Sequence, residues 1–280
     1  MTTIPTRTLP SGDELPQLGF GTWDIGGETV REGVHTALDA GYAHVDTAEG
    51  YHNEAEIGAA LDDHDREDVF LTSKVLPKHL TYDALIEACE NSLERLGTDY
   101  LDLYLIHWPN PAVSLRESLD AMATLHDRGL VRNVGVSNFS AYQLSCAQHV
   151  SDVPIAVNQI EFHPWFQRPD LVEYCRETDV VVEAAAPLAR TEIFEDEVVR
   201  ELAETYDRSP SQVVLKWAIE RGVVVLPKSS SSGHIRENAD LFGWEIEEAD
   251  LDKLDARDRD YPVYDTPARD WSSDVYGINQ

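Results

Sequence analysis

The stretch DTAEGYHNE, residues 46–54, contains the side chains with the clearest chemical potential. Asp46 and Tyr51 come directly after a short apolar run, and Lys74 and His107 come after two later runs. A free tyrosine, with a pKa of about 10, is a poor acid at neutral pH. A nearby lysine ammonium favours the phenolate and lowers that pKa. The four side chains therefore predict general acid catalysis, in which Tyr51 donates a proton to an oxygen that gains negative charge.

Each of the four side chains has a separate part in this prediction. Asp46 pairs with Lys74 and keeps the lysine charged and oriented. His107 hydrogen-bonds the substrate carbonyl oxygen or the phenol. This set suits the addition of a hydride to a carbonyl. Taken singly, Asp46 and Lys74 are explained equally well as an ordinary ion pair, whereas a lone tyrosine is more often a packed aromatic residue and a lone histidine more often a core residue.

Eight apolar runs alternate with amphipathic stretches along the chain, which predicts a parallel sheet with helices between its strands. The strands are predicted at residues 18–23, 43–48, 69–74, 101–108, 133–138, 156–162, 180–188 and 223–229. Eight strands close a (β/α)8 TIM barrel, and a chain of 280 residues fits its usual length of about 250. The active site of such a barrel lies at the C-terminal ends of the strands, so the four side chains are expected to converge there.

Helical spacing of apolar residues predicts helices that end at Gly97, Gly129 and Gly222. Residues 1–16 are predicted to form an N-terminal β-hairpin. Because no linker or repeat divides the chain, a single domain over residues 1–280 is expected.

The C-terminal tail, residues 260–280, is rich in aromatic side chains. It is expected near the barrel mouth, where Tyr264, Trp271 or Tyr276 would contact the substrate. Packing of the tail on the outside of the barrel is the alternative.

The charge of the chain is strongly acidic, with 22 Lys and Arg against 52 Asp and Glu and a net charge of −30. This charge excludes nucleic acids and anionic membranes as partners, since both require a basic surface. No apolar run is long enough for a transmembrane helix or a signal peptide, so a cytoplasmic protein is expected. The acidic residues are spread over the chain, which suggests a halophilic protein from a high-salt cytoplasm. Three cysteines without CxxC spacing predict free thiols and no metal site.

Several motifs resemble the aldo-keto reductases in order and spacing across nearly the whole chain. They are GYAHVDTAEGYHNEAEIG, LTSK, LDLYLIHWP, VGVSNF and VNQIEFHP. The resemblance is greatest to small prokaryotic members such as the 2,5-diketogluconate reductases. It implies a (β/α)8 barrel that binds NADPH, with NADH as an alternative, and a catalytic tetrad of Asp46, Tyr51, Lys74 and His107.

The resemblance also implies a cofactor site that needs no Rossmann fingerprint. The residues that match this site are Thr22, Asp46, Ser137, Asn138, Gln159, Leu188, Lys228, Ser229, His234, Glu237 and Asn238. Ser137, Asn138 and Gln159 match residues that hydrogen-bond the nicotinamide carboxamide. Lys228 and its serine neighbours match the clamp on the adenosine 2′-phosphate.

Two positions depart from the family pattern, and both concern the cofactor. His234 stands where the family commonly has an arginine against the phosphate, and histidine is a weaker, pH-dependent partner. Ala185 stands where an aromatic residue usually stacks on the nicotinamide.

Trp23 and Trp108 are expected to form an apolar wall for the substrate.

The leading prediction is a monomeric, NADPH-dependent reductase of small-molecule carbonyl substrates. One alternative is a non-catalytic NADP(H)-binding sensor or regulatory subunit, against which the intact tetrad argues. The other is a metal-dependent barrel hydrolase or isomerase that uses Asp46, His107, Glu161 and His163. That enzyme would lack the paired HxH of such barrels and would leave Tyr51 without a role.

Overall fold

Two short antiparallel strands form the predicted hairpin at the start of the chain, β1 (Thr6–Thr8) and β2 (Glu14–Pro16). The computed structural model describes residues 3–264. The turn includes Gly12, whose φ of +92° is open to glycine but unfavourable for other residues. Leu9 and Leu15 pack against the inward-facing side chains of Leu103 and Val224. The hairpin therefore closes the barrel at the N-terminal ends of its strands.

The main sheet has eight parallel strands that pair in chain order. They are β3 (Phe20–Gly21), β4 (His44–Asp46), β5 (Phe70–Val75), β6 (Leu101–Ile106), β7 (Val131–Ser137), β8 (Ile155–Glu161), β9 (Val181–Ala185) and β10 (Val224–Val225). Parallel bridges from Leu18 to Val225 and from Gly21 to Lys228 join the first strand to the last. The predicted (β/α)8 barrel is thereby confirmed, and each predicted run overlaps one strand.

Two glycines allow the first and last strands to meet. A Cβ atom on Gly19 would lie 2.5 Å from the ring of His44, and one on Gly21 would lie 2.9 Å from the carbonyl oxygen of Leu226. Neither position has room for a larger residue. The glycines of the LGFG motif are therefore explained by closure of the barrel.

Helices connect the strands and cover the outside of the barrel. They are α1 (Gly27–Asp39), α2 (Glu54–Leu61), α3 (Tyr82–Leu96), α4 (Leu115–Asp127), α5 (Ala141–Val150), α6 (Pro169–Glu177), α7 (Glu197–Tyr206), α8 (Pro210–Glu220), α9 (Ser232–Asn238) and α10 (Glu248–Asp255). Gly97, Gly129 and Gly222 follow α3, α4 and α8 in the left-handed conformation that ends many helices. The three predicted helix ends are therefore confirmed. Within residues 3–264, no helix has both the length and the apolar character needed to cross a membrane.

The three cysteines are free thiols, as predicted. Cys89 and Cys175 are buried, and Cys146 is half-buried. Burial raises the pKa of the Cys89 thiol to about 12 and that of Cys175 to about 11. Because the thiolate is the reactive form, both side chains act as small apolar core residues.

Candidate active site

The C-terminal ends of β4, β5 and β6 bring the four predicted side chains together at the barrel mouth. Lys74 is fully buried, and its Nζ donates to Asp46 Oδ1 at 2.6 Å, to the Thr47 carbonyl oxygen at 2.8 Å and to the Tyr51 hydroxyl at 3.4 Å. The ring centroids of Tyr51 and His107 lie 5.6 Å apart in an edge-on arrangement. The predicted pairing of Asp46 with Lys74 is present, and the phenol lies between the ammonium and the imidazole.

Asn53 holds the loop that carries the phenol. Its amide accepts a hydrogen bond from the Thr47 hydroxyl at 2.8 Å and donates to the carbonyl oxygens of Thr22 and Ile25 at 2.9 and 2.8 Å. All these atoms are buried, so the amide ties the loop after β4 to the loop after β3. Asn53 also precedes α2 as its N-cap residue. His52, which follows Tyr51 in the same loop, is exposed.

The pKa of Tyr51 differs from the sequence-based expectation. Burial, and next to it the negative charge of Asp46, raises this pKa well above its ordinary value of 10. Removing the phenolate from water therefore outweighs the attraction of the Lys74 ammonium, and the expectation of a lowered pKa is wrong for the resting protein. The phenol stays protonated at neutral pH, which is the form that a proton donor requires.

A cavity of about 420 Å³ opens above the phenol. The predicted site residues that line it are Thr22, Trp23, Asp46, Tyr51, Gln159, Leu188, Lys228, Ser229 and His234. Ala185 and Ala186 also line it, so small side chains occupy the place of the family's aromatic residue. A larger cavity of about 710 Å³ lies at the opposite end of the barrel, beside the hairpin and far from these groups.

The other predicted cofactor residues lie next to this cavity or behind it. Asn138 donates its backbone N–H to the Gln159 carbonyl oxygen at 2.8 Å, and its side chain donates to Ser137 Oγ at 3.0 Å. Its φ of +62° is in the left-handed region, which asparagine tolerates better than most residues. Glu237 and Asn238 do not line the cavity; Asn238 is buried and accepts a hydrogen bond from Ser211.

Tyr264 belongs to the C-terminal tail and lines the cavity, as expected for one of the three aromatic residues named for the tail. Glu161 accepts hydrogen bonds from the backbone N–H groups of Val263 and Tyr264 at 2.5 and 3.0 Å, and His163 lies 2.9 Å from the same carboxylate. The Tyr264 ring contacts Trp108 with centroids 6.5 Å apart, so Trp108 is joined to the cavity through Tyr264. Trp271 and Tyr276 lie outside the described residues.

The sequence did not indicate Arg190, which lines the cavity. Its guanidinium lies 5.3 Å from the ring centroid of Trp23 and 5.8 Å from that of Tyr264. Arg190 and Thr191 have φ values of +51° and +73°, which are unfavourable for both residue types. The loop after β9 therefore holds the Arg190 guanidinium at the barrel mouth through an unusual backbone conformation, which no sequence motif predicts.

Glu183, inside the barrel on β9, was also not indicated. It is fully buried, and its Oε2 accepts a hydrogen bond from Gln159 Nε2 at 3.0 Å. Burial, together with the negative charge of Asp46, raises the pKa of Glu183 to about 8. His44, whose Nε2 lies 4.0 Å away, is kept neutral because burial and the Lys74 charge lower its pKa to about 3. A glutamate inside the apolar run at residues 180–188 was the signal that could have revealed this group.

The cavity has the chemistry that a nicotinamide dinucleotide phosphate needs. Its lining includes a cation and a hydroxyl from Lys228 and Ser229, together with the Gln159 amide and the Tyr51 phenol. Within residues 3–264, no three His, Cys, Asp or Glu side chains are placed to hold a metal ion. Fold and site together are those expected of a barrel oxidoreductase.

Comparison with known proteins identifies the family. The sequence profile of the Aldo/keto reductase family matches residues 17–259. A glyoxal reductase of Bacillus subtilis (strain 168) is 38% identical over 265 residues, which cover 94% of this chain and 96% of the relative. The chain therefore belongs to the aldo/keto reductase family.

Solved structures agree with this assignment. An aldo/keto reductase from Brucella melitensis matches with a TM-score of 0.87 and 39% identity, over 91% of this chain and 100% of that one. An aldo-keto reductase from Bombyx mori in complex with NADP matches with a TM-score of 0.90 and 29% identity, over 97% of each chain. The sequence-based predictions of fold, enzyme class and NADPH-dependent carbonyl reduction are thereby confirmed.

Proposed function

We propose that Tyr51 is the proton donor of an NADPH-dependent reduction of aldehyde and ketone carbonyls in this chain. The observation that carries the proposal is the Lys74 ammonium, which joins Asp46 and the Tyr51 hydroxyl at the floor of the cavity. When bound, NADPH supplies the hydride. The phenol donates its proton to the carbonyl oxygen, and the ammonium stabilises the phenolate that remains. His107 lies beside the phenol and orients the carbonyl oxygen.

The assignment of the cofactor-binding residues is part of the same proposal. Ser137, Asn138 and Gln159 hold the nicotinamide carboxamide, and Lys228, Ser229 and His234 hold the 2′-phosphate. Gln159 and the three residues assigned to the 2′-phosphate line the cavity, which supports their assignment. For Glu237 and Asn238 a contact with adenine rests on the resemblance alone. Because histidine pairs weakly with phosphate at neutral pH, NADH is expected to work as a second donor.

Small aldehydes and dicarbonyls are the proposed substrates. The resemblance to the 2,5-diketogluconate reductases and the similarity to a glyoxal reductase support this class. The aromatic side chains of Trp23, Trp108 and Tyr264 form the wall on the substrate side. Pocket contacts of this kind separate substrates that differ by one methylene by only about 1–3 kcal/mol, so a broad range is expected.

The function is tested by following nicotinamide absorbance with glyoxal, methylglyoxal and longer aldehydes, with NADPH or NADH, in the presence and absence of a chelator. We expect oxidation of NADPH with several of these aldehydes, slower oxidation of NADH, and no effect of the chelator. Binding of NADPH without turnover of any carbonyl would instead support a sensor or regulatory subunit. Hydrolysis that the chelator abolishes would support the metal-dependent enzyme.

We also propose that the chain is a single-domain, monomeric, cytoplasmic protein adapted to high salt, which rests on its sequence and its net charge of −30. Because salt screens repulsion among exposed carboxylates, the Tm should rise between about 0.1 M and about 2 M KCl. A matched variant replaces the exposed acids Asp62, Asp63, Glu67 and Asp68 by their amides. At low salt it should melt above the wild type, and the difference should shrink at high salt. Equal Tm values for both proteins at both salt concentrations would exclude screening as the cause.

A further inference from the structure

The Gln159 amide is held on both of its N–H groups. Its Nε2 donates to Asp46 Oδ2 at 2.9 Å and to Glu183 Oε2 at 3.0 Å. A primary amide has two N–H donors, so both are used. No donor among residues 3–264 is bonded to Oε1, the oxygen of the Gln159 side-chain amide, and this side chain lines the active-site cavity. Oε1 is therefore the atom of this amide that remains for a ligand.

The two carboxyl groups determine which way the amide faces. An ionised carboxylate only accepts hydrogen bonds. If the amide rotated by half a turn, its oxygen would face the Asp46 carboxylate and, whenever Glu183 is ionised, a second carboxylate, so these hydrogen bonds would become repulsive contacts. Asp46 is itself held by the Lys74 ammonium at 2.6 Å. Glu183 is the second support, and it comes from a different strand, β9.

Glu183 has no other hydrogen-bond partner in the described part of the chain. Its Oε1 is buried and unbonded, and the nearby His44 directs Nε2 to the Thr72 hydroxyl at 3.0 Å. The ionisable groups that face Glu183 are His44 and Asp46 on β4 and Lys74 on β5. Burying a carboxyl group with one unmet oxygen destabilises a fold. A contribution to stability therefore does not explain Glu183, whereas its bond to Gln159 does.

The bond to Gln159 survives a change in the charge of Glu183. Burial and Asp46 raise the pKa of Glu183 to about 8, so both charge states occur near neutral pH. When the proton resides on Oε1, Oε2 still accepts from Gln159. The amide is therefore held in both states.

We propose that Glu183 is a positioning residue for the nicotinamide: with Asp46 it orients the Gln159 amide so that Oε1 accepts a hydrogen bond from the carboxamide NH2 group. This inference rests on the proposed function, in which Gln159 contacts the carboxamide. It goes beyond that function because it makes a buried acid, which touches neither cofactor nor substrate, a determinant of cofactor recognition.

The test compares the Kd of NADPH with that of its reduced 3-acetylpyridine analogue, in which a methyl group replaces the carboxamide NH2. We expect the wild type to bind NADPH about fivefold more tightly than the analogue, which is the usual net contribution of one hydrogen bond. Glu183→Met removes the acceptor at similar size, and the ratio should fall to about two or less. Glu183→Gln keeps an acceptor oxygen and should retain the ratio. Binding is followed by the quenching of tryptophan fluorescence.

A matched control is Glu54→Gln, because Glu54 is also a buried carboxylate but binds Arg95, Ser73 and Ser92 away from the cavity. It should leave the ratio unchanged. Glu183→Leu replaces Glu183→Met if the latter fails to melt cooperatively.

In addition, Glu183→Gln should gain Tm over the wild type as pH rises from about 6 to about 9. Because the pKa of Glu183 is raised to about 8 in the folded wild type, the unfolded chain releases this proton at a lower pH than the folded chain does. The free energy of unfolding of the wild type therefore falls as the pH rises to about 8, whereas that of Glu183→Gln does not depend on this proton.

An unchanged ratio in folded Glu183→Met, or equal Kd values for both cofactors in the wild type, would overturn the proposal. Failure of the proposed function has a different signature. A wild type that distinguishes the two cofactors but reduces no carbonyl would reject the activity and leave the role of Glu183 standing.

Discussion

Tyr51→Phe is expected to lower kcat for carbonyl reduction by about 10²–10⁴-fold, the range of a general acid. The substitution removes the hydroxyl that lies 3.4 Å from the Lys74 ammonium and leaves the ring in place. Because only the acid is lost, the Kd of NADPH should stay close to that of the wild type. Single-turnover reduction of an aldehyde and a titration with NADPH measure the two effects separately.

Tyr264→Phe is the matched control for this experiment. Tyr264 is also a tyrosine that lines the cavity, whereas the hydroxyl that accepts the hydrogen bond from Lys74 belongs to Tyr51. Its loss should change KM for bulky substrates and leave most of kcat. Full activity in Tyr51→Phe, or an equal loss of kcat in both variants, would show that the proton comes from another group.

Lys74→Met is expected to have the second-largest effect, and it should reduce both activity and stability. In the proposed mechanism the ammonium stabilises the phenolate, so kcat should fall by about 10²–10⁴-fold. Asp46 would remain buried without its cation, and removing one member of a buried ion pair costs about 3–5 kcal/mol of the free energy of unfolding. Urea denaturation and steady-state kinetics measure the two losses.

A double variant separates the two losses. Asp46→Asn combined with Lys74→Met removes both charges, so it should recover much of the lost stability without recovering activity. Lys216→Met is the control, since Lys216 is also a buried lysine but pairs with Glu220 on α8, away from the cavity. If Lys74→Met were as stable and as active as Lys216→Met, the ion pair would have neither role.

The barrel and its polar mouth could be predicted because both depend on local sequence. A parallel strand that is buried on both faces has a nearly continuous apolar sequence, and a polar residue at its end indicates where the chain leaves the sheet. Asp46, Lys74 and His107 occupy such positions. The barrel topology then brings the strand ends together without any further information.

Features that depend on contacts between distant residues could not be predicted. The environment of Tyr51 is set by the burial of its hydroxyl, and its pKa was therefore expected in the wrong direction. Arg190 reaches the mouth through an unusual backbone conformation after β9. Glu183 accepts a hydrogen bond from Gln159, which lies on the neighbouring strand and is 24 positions away in the sequence. Each depends on a spatial neighbour that the strand pattern alone does not specify.

The hydrogen bonds of Lys74 have a consequence for an enzyme that handles aldehydes. Amines condense with aldehydes to Schiff bases, but only through an unprotonated nitrogen. The ammonium has three N–H donors, and Asp46, the Thr47 carbonyl oxygen and Tyr51 accept all three. The nitrogen therefore presents no lone pair to the substrate above it. In the proposed mechanism, the arrangement that lets the phenol act as an acid would also keep the Lys74 nitrogen from forming a Schiff base with the substrate.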